Sequence, residues 1–241
     1  MTTRKLNSSD EADLEGKDFS FTTIREFDKY ISKQIRGYSD LDYIVHRIAD
    51  YALEDGTNMY DLGASTGRFI NELADKLDQE TDPARKKRVD FFGIEPNPSM
   101  QQQFKTRDNV HLITEPVKNT TRFYNASMIS SIFTLQFTPA HSRKAIIKSI
   151  YDGLNPNGVF ILAEKVFSYD AQIERLLNSV HTDFKVETST TDEIYNKDKQ
   201  LASIMRPYPL GKNIDMLKEA GFKQVDTFWR VNNFIGIIAI R

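Results

Sequence analysis

The chain of 241 residues contains no cysteine. Disulfides, thiolate metal sites and a cysteine nucleophile are therefore excluded. Long apolar runs are missing as well, and nothing approaches the ~20 residues of a membrane span. The segment from Met1 to Lys17 is polar and mixed in charge, without the apolar centre of a secretory signal. Residues 1–17 are expected to form a flexible tail, and the chain is expected to be cytoplasmic with no membrane attachment. Charge imbalance is also missing. A formal net charge of −2 gives no global attraction to nucleic acid or anionic lipid, so direct nucleic-acid binding is not expected. His46, His111, His141 and His181 show no metal-ligand spacing, and no metal is expected. Neither a G-x-S-x-G elbow nor a P-loop with its lysine occurs.

What is present is apolar and aromatic mass. Hydrophobic residues make up 39% of the chain, with 16 Phe and 10 Tyr, enough for a sizeable core. Apolar spacing predicts a helix near residues 21–35, and a second from Leu41 to Ala52 with Ser39 or Asp40 as N-cap. Short apolar strands are expected at Asn58–Leu62, Val89–Glu95, Val110–Ile113, Ser127–Phe133 and Val159–Ala163. Helices are expected between them, including Ser99–Lys105 and His141–Leu154, the latter stopped by Asn155-Pro156-Asn157-Gly158. Residues 168–210 read as a helical insertion over the ligand face, with a capping box from Thr190 to Glu193. A helix at Asn213–Ala220 and strands at Gln224–Arg230 and Phe234–Ile240 close the chain.

Alternating strands and helices specify a parallel, doubly wound sheet. The last two strands are joined only by Val231-Asn232-Asn233, too short for anything but antiparallel neighbours. The expectation is a seven-stranded, Rossmann-like α/β domain spanning 18–241, mostly parallel, with a C-terminal antiparallel hairpin. That is the layout of class I methyltransferases.

The candidate site starts at Asp61-Leu62-Gly63-Ala64-Ser65-Thr66-Gly67, between the first strand and its helix. Glycine there permits a tight turn and close approach of a ligand, here a nucleoside cofactor such as S-adenosyl-L-methionine (SAM). Asp61, Gly63, Ala64 and Ser65 are candidate contacts. Glu95, followed by Pro96, ends the second strand, where an acidic side chain can accept ribose hydroxyls. Glu115, after the third strand, is a candidate for the adenine amino group. Phe133-Thr134-Leu135-Gln136-Phe137 follows the fourth strand, where substrate and cofactor meet in such sheets.

Several segments resemble one family closely. They include Gly37-Tyr38-Ser39, Tyr60-Asp61-Leu62-Gly63, Asn125-Ala126-Ser127-Met128, Phe133-Thr134-Leu135-Gln136-Phe137 and Ile150-Tyr151-Asp152-Gly153-Leu154-Asn155-Pro156. Glu164-Lys165, Asp183-Phe184-Lys185, Ala220-Gly221-Phe222 and Asn233-Phe234 continue the match. From about Phe27 to Ile240 the chain resembles the carboxy-S-adenosyl-L-methionine synthases, enzymes of methyltransferase fold that serve tRNA modification. The resemblance implies SAM and prephenate as reactants, with the carboxyl group of prephenate captured by the SAM methyl carbon as carboxy-S-adenosyl-L-methionine. It implies cofactor contacts at Tyr38, Gly63 and Ser65, ribose binding at Glu95 in place of the family's Asp, and a homodimer. The family's carboxylate-holding arginine aligns with Asp198, which leaves Lys197 or Lys199 as the candidate clamp. Ile132 replaces a family Asn. Two alternatives stay open: an ordinary methyltransferase, and a protein that binds SAM or its carboxylated form without chemistry.

Overall fold

The computed structural model describes residues 27–241. The expected tail at 1–17, and the part of the first helix before Phe27, lie outside the described residues. A short helix α1 (Phe27–Gln34) leads to α2 (Tyr38–Ala52), then β1 (Thr57–Leu62), α3 (Arg68–Asp78), β2 (Val89–Ile94), α4 (Pro98–Gln101) and β3 (Val110–Ile113). The chain continues through β4 (Ala126–Ile132), a 3-10 turn at Leu135–Phe137, α5 (Ala140–Gly153) and β5 (Leu154–Lys165). It ends with α6 (Ala171–Val186), α7 (Thr191–Ile204), α8 (Leu210–Ala220), β6 (Gln224–Val231) and β7 (Phe234–Ile240).

All seven strands form one sheet in the order β3-β2-β1-β4-β5-β7-β6. β1 to β5 run parallel, and β7 is antiparallel to both β5 and β6. The hairpin turn uses Asn232 at φ 55, a left-handed value that asparagine tolerates. Strand order reverses between β1 and β4, and a doubly wound sheet opens its ligand crevice at such a point.

The central strands are buried on both faces, which is why they read as continuous apolar runs. Met128 and Ile161 face a core shared with Leu41, Val45 and Ile70 from α2 and α3. Their neighbours Ile129 and Phe160 point the other way, to Ile146, Ile150 and Leu217 from α5 and α8. Each such fully buried side chain contributes about 1.5–3 kcal/mol.

Beyond shifts of one or two residues at several element ends, four features differ from the sequence expectation. α2 starts at Tyr38 with Gly37 as its N-cap at φ 74, not with Ser39 or Asp40. A Cβ on Gly37 would meet Val231 Cγ2 at 3.1 Å, so the left-handed entry is also a close packing point. α4 ends at Gln101, well short of Lys105, after Asn97 caps it by accepting from the Ser99 N–H. Asn155–Gly158 does not form a separate turn but the irregular start of β5, with Asn157 at φ 66 and a register shift against β4. α8 begins at Leu210, three residues before the expected start. The Thr190–Glu193 capping box of α7 is present with both reciprocal hydrogen bonds.

Candidate functional site

A cavity of about 550 Å³ lies over the carboxyl ends of β1, β2, β4 and β5, within the range that small-molecule sites occupy. Its floor is the loop after β1. Gly63 sits there at φ 73, and a Cβ on it would lie 2.2 Å from Thr134 Oγ1. Glycine is therefore required twice, by conformation and by space. The N–H groups of Gly63 and Ala64 both donate to Ile94 O, at 2.8 and 3.1 Å, holding the loop against β2. Ser65, at φ 51, turns its N–H to Glu95 Oε2 at 2.9 Å. Glu95 Oε1 accepts from the Asn97 N–H at 2.8 Å. Both carboxylate oxygens of Glu95 are thus fixed by backbone donors, with lone pairs left for ligand hydroxyls. Burial raises the Glu95 carboxyl above its ordinary range, against the lowering pull of those two N–H groups.

Asp61, at the end of β1, is buried and accepts from Ser130 Oγ at 2.7 Å. Burial pushes its carboxyl up to about 7, the Ser130 hydroxyl pulls it down, and the nearby Glu95 charge adds to the rise. A cationic ligand group beside Asp61 would restore its ionised form. Arg68 and Asp42 also line the cavity, joined by Arg68 Nη2 to Asp42 Oδ1 at 2.6 Å and Nη1 to Oδ2 at 3.3 Å. Arg68 reaches Glu72 as well, at 2.7 Å, so the group Asp42, His46 and Glu72 already has a guanidinium among its carboxylates.

The wall beyond β4 is aromatic. Phe133 is held at φ 55, with its N–H donating to Ala163 O at 2.8 Å. Its ring centroid lies 6.4 Å from that of Tyr38 and 5.7 Å, edge-on, from that of Phe234. Gln136 locks the junction: its side-chain oxygen accepts from the Lys165 N–H at 2.8 Å, and its own N–H donates to Glu164 Oε1 at 3.2 Å. Glu164 is fully enclosed; burial pushes its carboxyl up to about 8, with the Arg143 charge pulling the other way. Arg143 is itself buried, donating to Gln136 O at 3.0 Å and covering the Tyr208 ring at 4.6 Å.

The roof comes from α6 and α7 and carries charge. His181 and Lys185 of α6 lie one helical turn apart, on the same face, and Lys197, Asp198, Leu201 and Ala202 of α7, with its C-cap Met205, line the same cavity. Lys165, at the end of β5, joins this group. Burial lowers the Lys165 ammonium, and the Lys185 charge lowers it further. Burial brings Lys197 down to about 8, again helped by Lys185. His181 falls to about 4 through burial and the charges of Lys185 and Lys165, so its ring is neutral near pH 7. Asp198 is the carboxylate in this group, with Oδ1 2.8 Å from Lys185 Nζ.

The cavity therefore brings together Tyr38, Asp61, Gly63, Ala64, Ser65, Glu95, Pro96, Phe133 and Lys197. It does not bring in two expected residues. Glu115 stands exposed in the loop after β3, outside the lining; β3 is an edge strand, separated from β1 by β2. Lys199 is exposed outside the lining because it lies about 200° around the helix from Lys197. Sequence reasoning gave no role to Lys165, Lys185, Asp42 or Arg68. The spacing of Asn178, His181 and Lys185, a polar i, i+3, i+7 stripe on an otherwise mixed helix, was the available signal.

Known proteins place this geometry in context. No family model matches the chain. The chain is 36% identical to a carboxy-S-adenosyl-L-methionine synthase of Staphylococcus epidermidis, over 91% of this chain and 94% of that protein. It is 31% identical to the enzyme of the same name from Pseudoalteromonas translucida, over 93% and 94%. Among solved structures it resembles human N-acetylserotonin methyltransferase in complex with SAM, with a TM-score of 0.51, 13% identity, and coverage of 81% of this chain and 51% of that one. The last likeness shows the fold: a Rossmann-like methyltransferase sheet.

Proposed function

Since the chain belongs to the carboxy-S-adenosyl-L-methionine synthase family and is a SAM-dependent transferase, we propose that it transfers the ring carboxyl group of prephenate to the methyl carbon of SAM. The reaction balances as SAM plus prephenate giving carboxy-S-adenosyl-L-methionine, phenylpyruvate and water. The carbon–carboxyl bond of the prephenate ring breaks as the ring becomes aromatic and sheds its hydroxyl. The methyl proton leaves with that hydroxyl as water, and a new carbon–carbon bond joins the methyl carbon to the carboxyl. SAM supplies a methyl carbon activated by the adjacent sulfonium.

The observation that carries this reading is the charge of the roof. Among the described residues, Lys165, Lys185 and Lys197 share the roof with the half-exposed Asp198, and Glu174 also acts on Lys165, in the cavity that holds the glycine loop. A sulfonium methyl donor gains nothing from neighbouring ammonium groups. A dicarboxylate reactant and a carboxylated product both gain. This asymmetry favours carboxyl transfer over ordinary methyl transfer.

The chain's own residues then position and dehydrate. Gly63, Ala64, Ser65 and Tyr38 hold the methionine part of SAM, and Glu95 with Pro96 takes the ribose. Phe133, Tyr38 and Phe234 present an aromatic wall to the prephenate ring. Lys197 serves as a carboxylate clamp, a point charge in place of the family's arginine fork. We read residues 168–210, with α6 and α7, as an insertion that roofs the cavity and excludes water. No side-chain nucleophile is needed, since holding two reactants in register supplies the rate.

A homodimer is supported by Ile173, Leu176 and Val180, an exposed apolar stripe at helical spacing on α6. A cytoplasmic role in supplying a carboxylated cofactor for tRNA modification fits the lack of cysteine, without direct contact between this chain and nucleic acid. The test is to incubate purified protein with SAM and prephenate. Equal amounts of phenylpyruvate and of a nucleoside heavier by one carbon dioxide are expected. S-adenosylhomocysteine without phenylpyruvate would replace the proposal with methyl transfer.

A further inference from the structure

Lys185 and Asp198 make an unequal pair. The Lys185 side chain is 6% exposed and that of Asp198 is 52% exposed, with Nζ and Oδ1 2.8 Å apart. An ammonium group enclosed in this way is costly without a partner. A half-exposed carboxylate stays solvated when it turns into water, so it can give up its place to another anion. Lys185 is thus fixed and needs an anion, whereas Asp198 can leave.

The surroundings favour exchange. Lys165 and Lys197 both line the cavity close enough to Lys185 to be lowered by its charge. His181, one turn before Lys185, is neutral near pH 7 and offers no counter-charge. Glu174 acts on Lys165 but has its own partners, accepting from the Ser168 N–H at 2.7 Å and from Asn178 at 2.9 Å. Among the described residues, Asp198 is therefore the carboxylate of this cluster that can be traded for a ligand's.

We infer that Asp198 is an exchangeable internal counter-ion. It neutralises Lys185 while the roof holds no anion, and the pyruvyl carboxylate of the substrate, the one that phenylpyruvate retains, displaces it and takes Lys185 as its cation. Lys185 is then the specificity-determining residue for that carboxylate, and Asp198 weakens binding of every anion that must displace it. This inference rests on the carboxyl-transfer reading for the substrate class, but its test needs no turnover.

The experiment loads the full chain with S-adenosylhomocysteine, which cannot accept a carboxyl group, and titrates phenylpyruvate by calorimetry. Asp198→Asn is expected to bind phenylpyruvate about tenfold more tightly than the wild type, and Lys185→Met at least tenfold more weakly. Asp198→Asn strands a buried ammonium, so its melting temperature without anion should fall. Phenylpyruvate should then raise that temperature more in the variant than in the wild type, a readout that a mere folding defect does not give. Unchanged or weaker binding in a folded Asp198→Asn variant overturns the exchange. Tighter binding in Asp198→Asn, together with no carboxyl transfer by the wild type, retains the exchange and rejects the reaction.

Discussion

The backbone N–H of Ser65 donates to Glu95 Oε2 at 2.9 Å, so a carboxylate that lines the cavity also fastens the glycine loop. Its other oxygen fastens the turn after β2 through Asn97. Glu95→Gln keeps one acceptor oxygen and places an amide against an N–H donor. It is expected to weaken SAM binding at least tenfold in calorimetry, with the fold retained by circular dichroism. Glu95→Asp restores the charge but shortens the reach, so it should lose part of the affinity through the Ser65 contact.

Asp61 sets a pH dependence on cofactor binding. Its carboxyl is pushed up to about 7 by burial, so it is largely protonated below that value. The ionised form attracts the cationic groups of SAM. SAM affinity should therefore fall as pH drops below about 7 and level off above it. Calorimetry in buffers of different ionisation enthalpy should show proton release on binding near neutral pH. Asp61→Asn should bind more weakly and lose the pH dependence.

Lys197, the proposed clamp, titrates in the opposite sense. Lys197 is held down to about 8, so its charge is present below that pH and lost above it. Binding of prephenate, which still carries the transferable carboxylate, to the S-adenosylhomocysteine-loaded protein should weaken as pH rises through about 8. An arginine stays charged there, so Lys197→Arg should move this loss to higher pH, and Lys197→Met should flatten it.

Arg143 carries stability. It is buried beside Glu164, caps the 3-10 turn through Gln136 O and Thr138 O, and covers Tyr208. Arg143→Met strands the acceptors and removes the positive neighbour of Glu164. The expected cost is about 1–3 kcal/mol, read from the denaturation midpoint. Adding Glu164→Gln should recover little of it, because a carboxyl pushed up to about 8 is already largely protonated near pH 7.

The parts of this site that the sequence made legible are local. Gly63 and Gly67 mark a loop because only glycine adopts φ 73 and φ 75 cheaply, and both are packed against side chains, Thr134 and Phe104. Glu95 was readable because a strand end fixes its place by counting. The β6–β7 hairpin was readable from the length of its turn. The Lys185–Asp198 pair was not, because it depends on how α6 packs against α7, two helices whose contact no periodicity specifies. Glu115 illustrates the same point: matching a loop position does not place a side chain when the loop sits beside an edge strand.

The central claim is that the carboxyl group moves from prephenate to the SAM methyl carbon within this cavity. Prephenate carrying carbon-13 in its ring carboxyl group, incubated with the protein and SAM, tests it most directly. The expected result is a nucleoside heavier by one labelled carbon dioxide, with phenylpyruvate carrying no label. Label found only in bicarbonate, with SAM intact or converted to S-adenosylhomocysteine, would contradict the account.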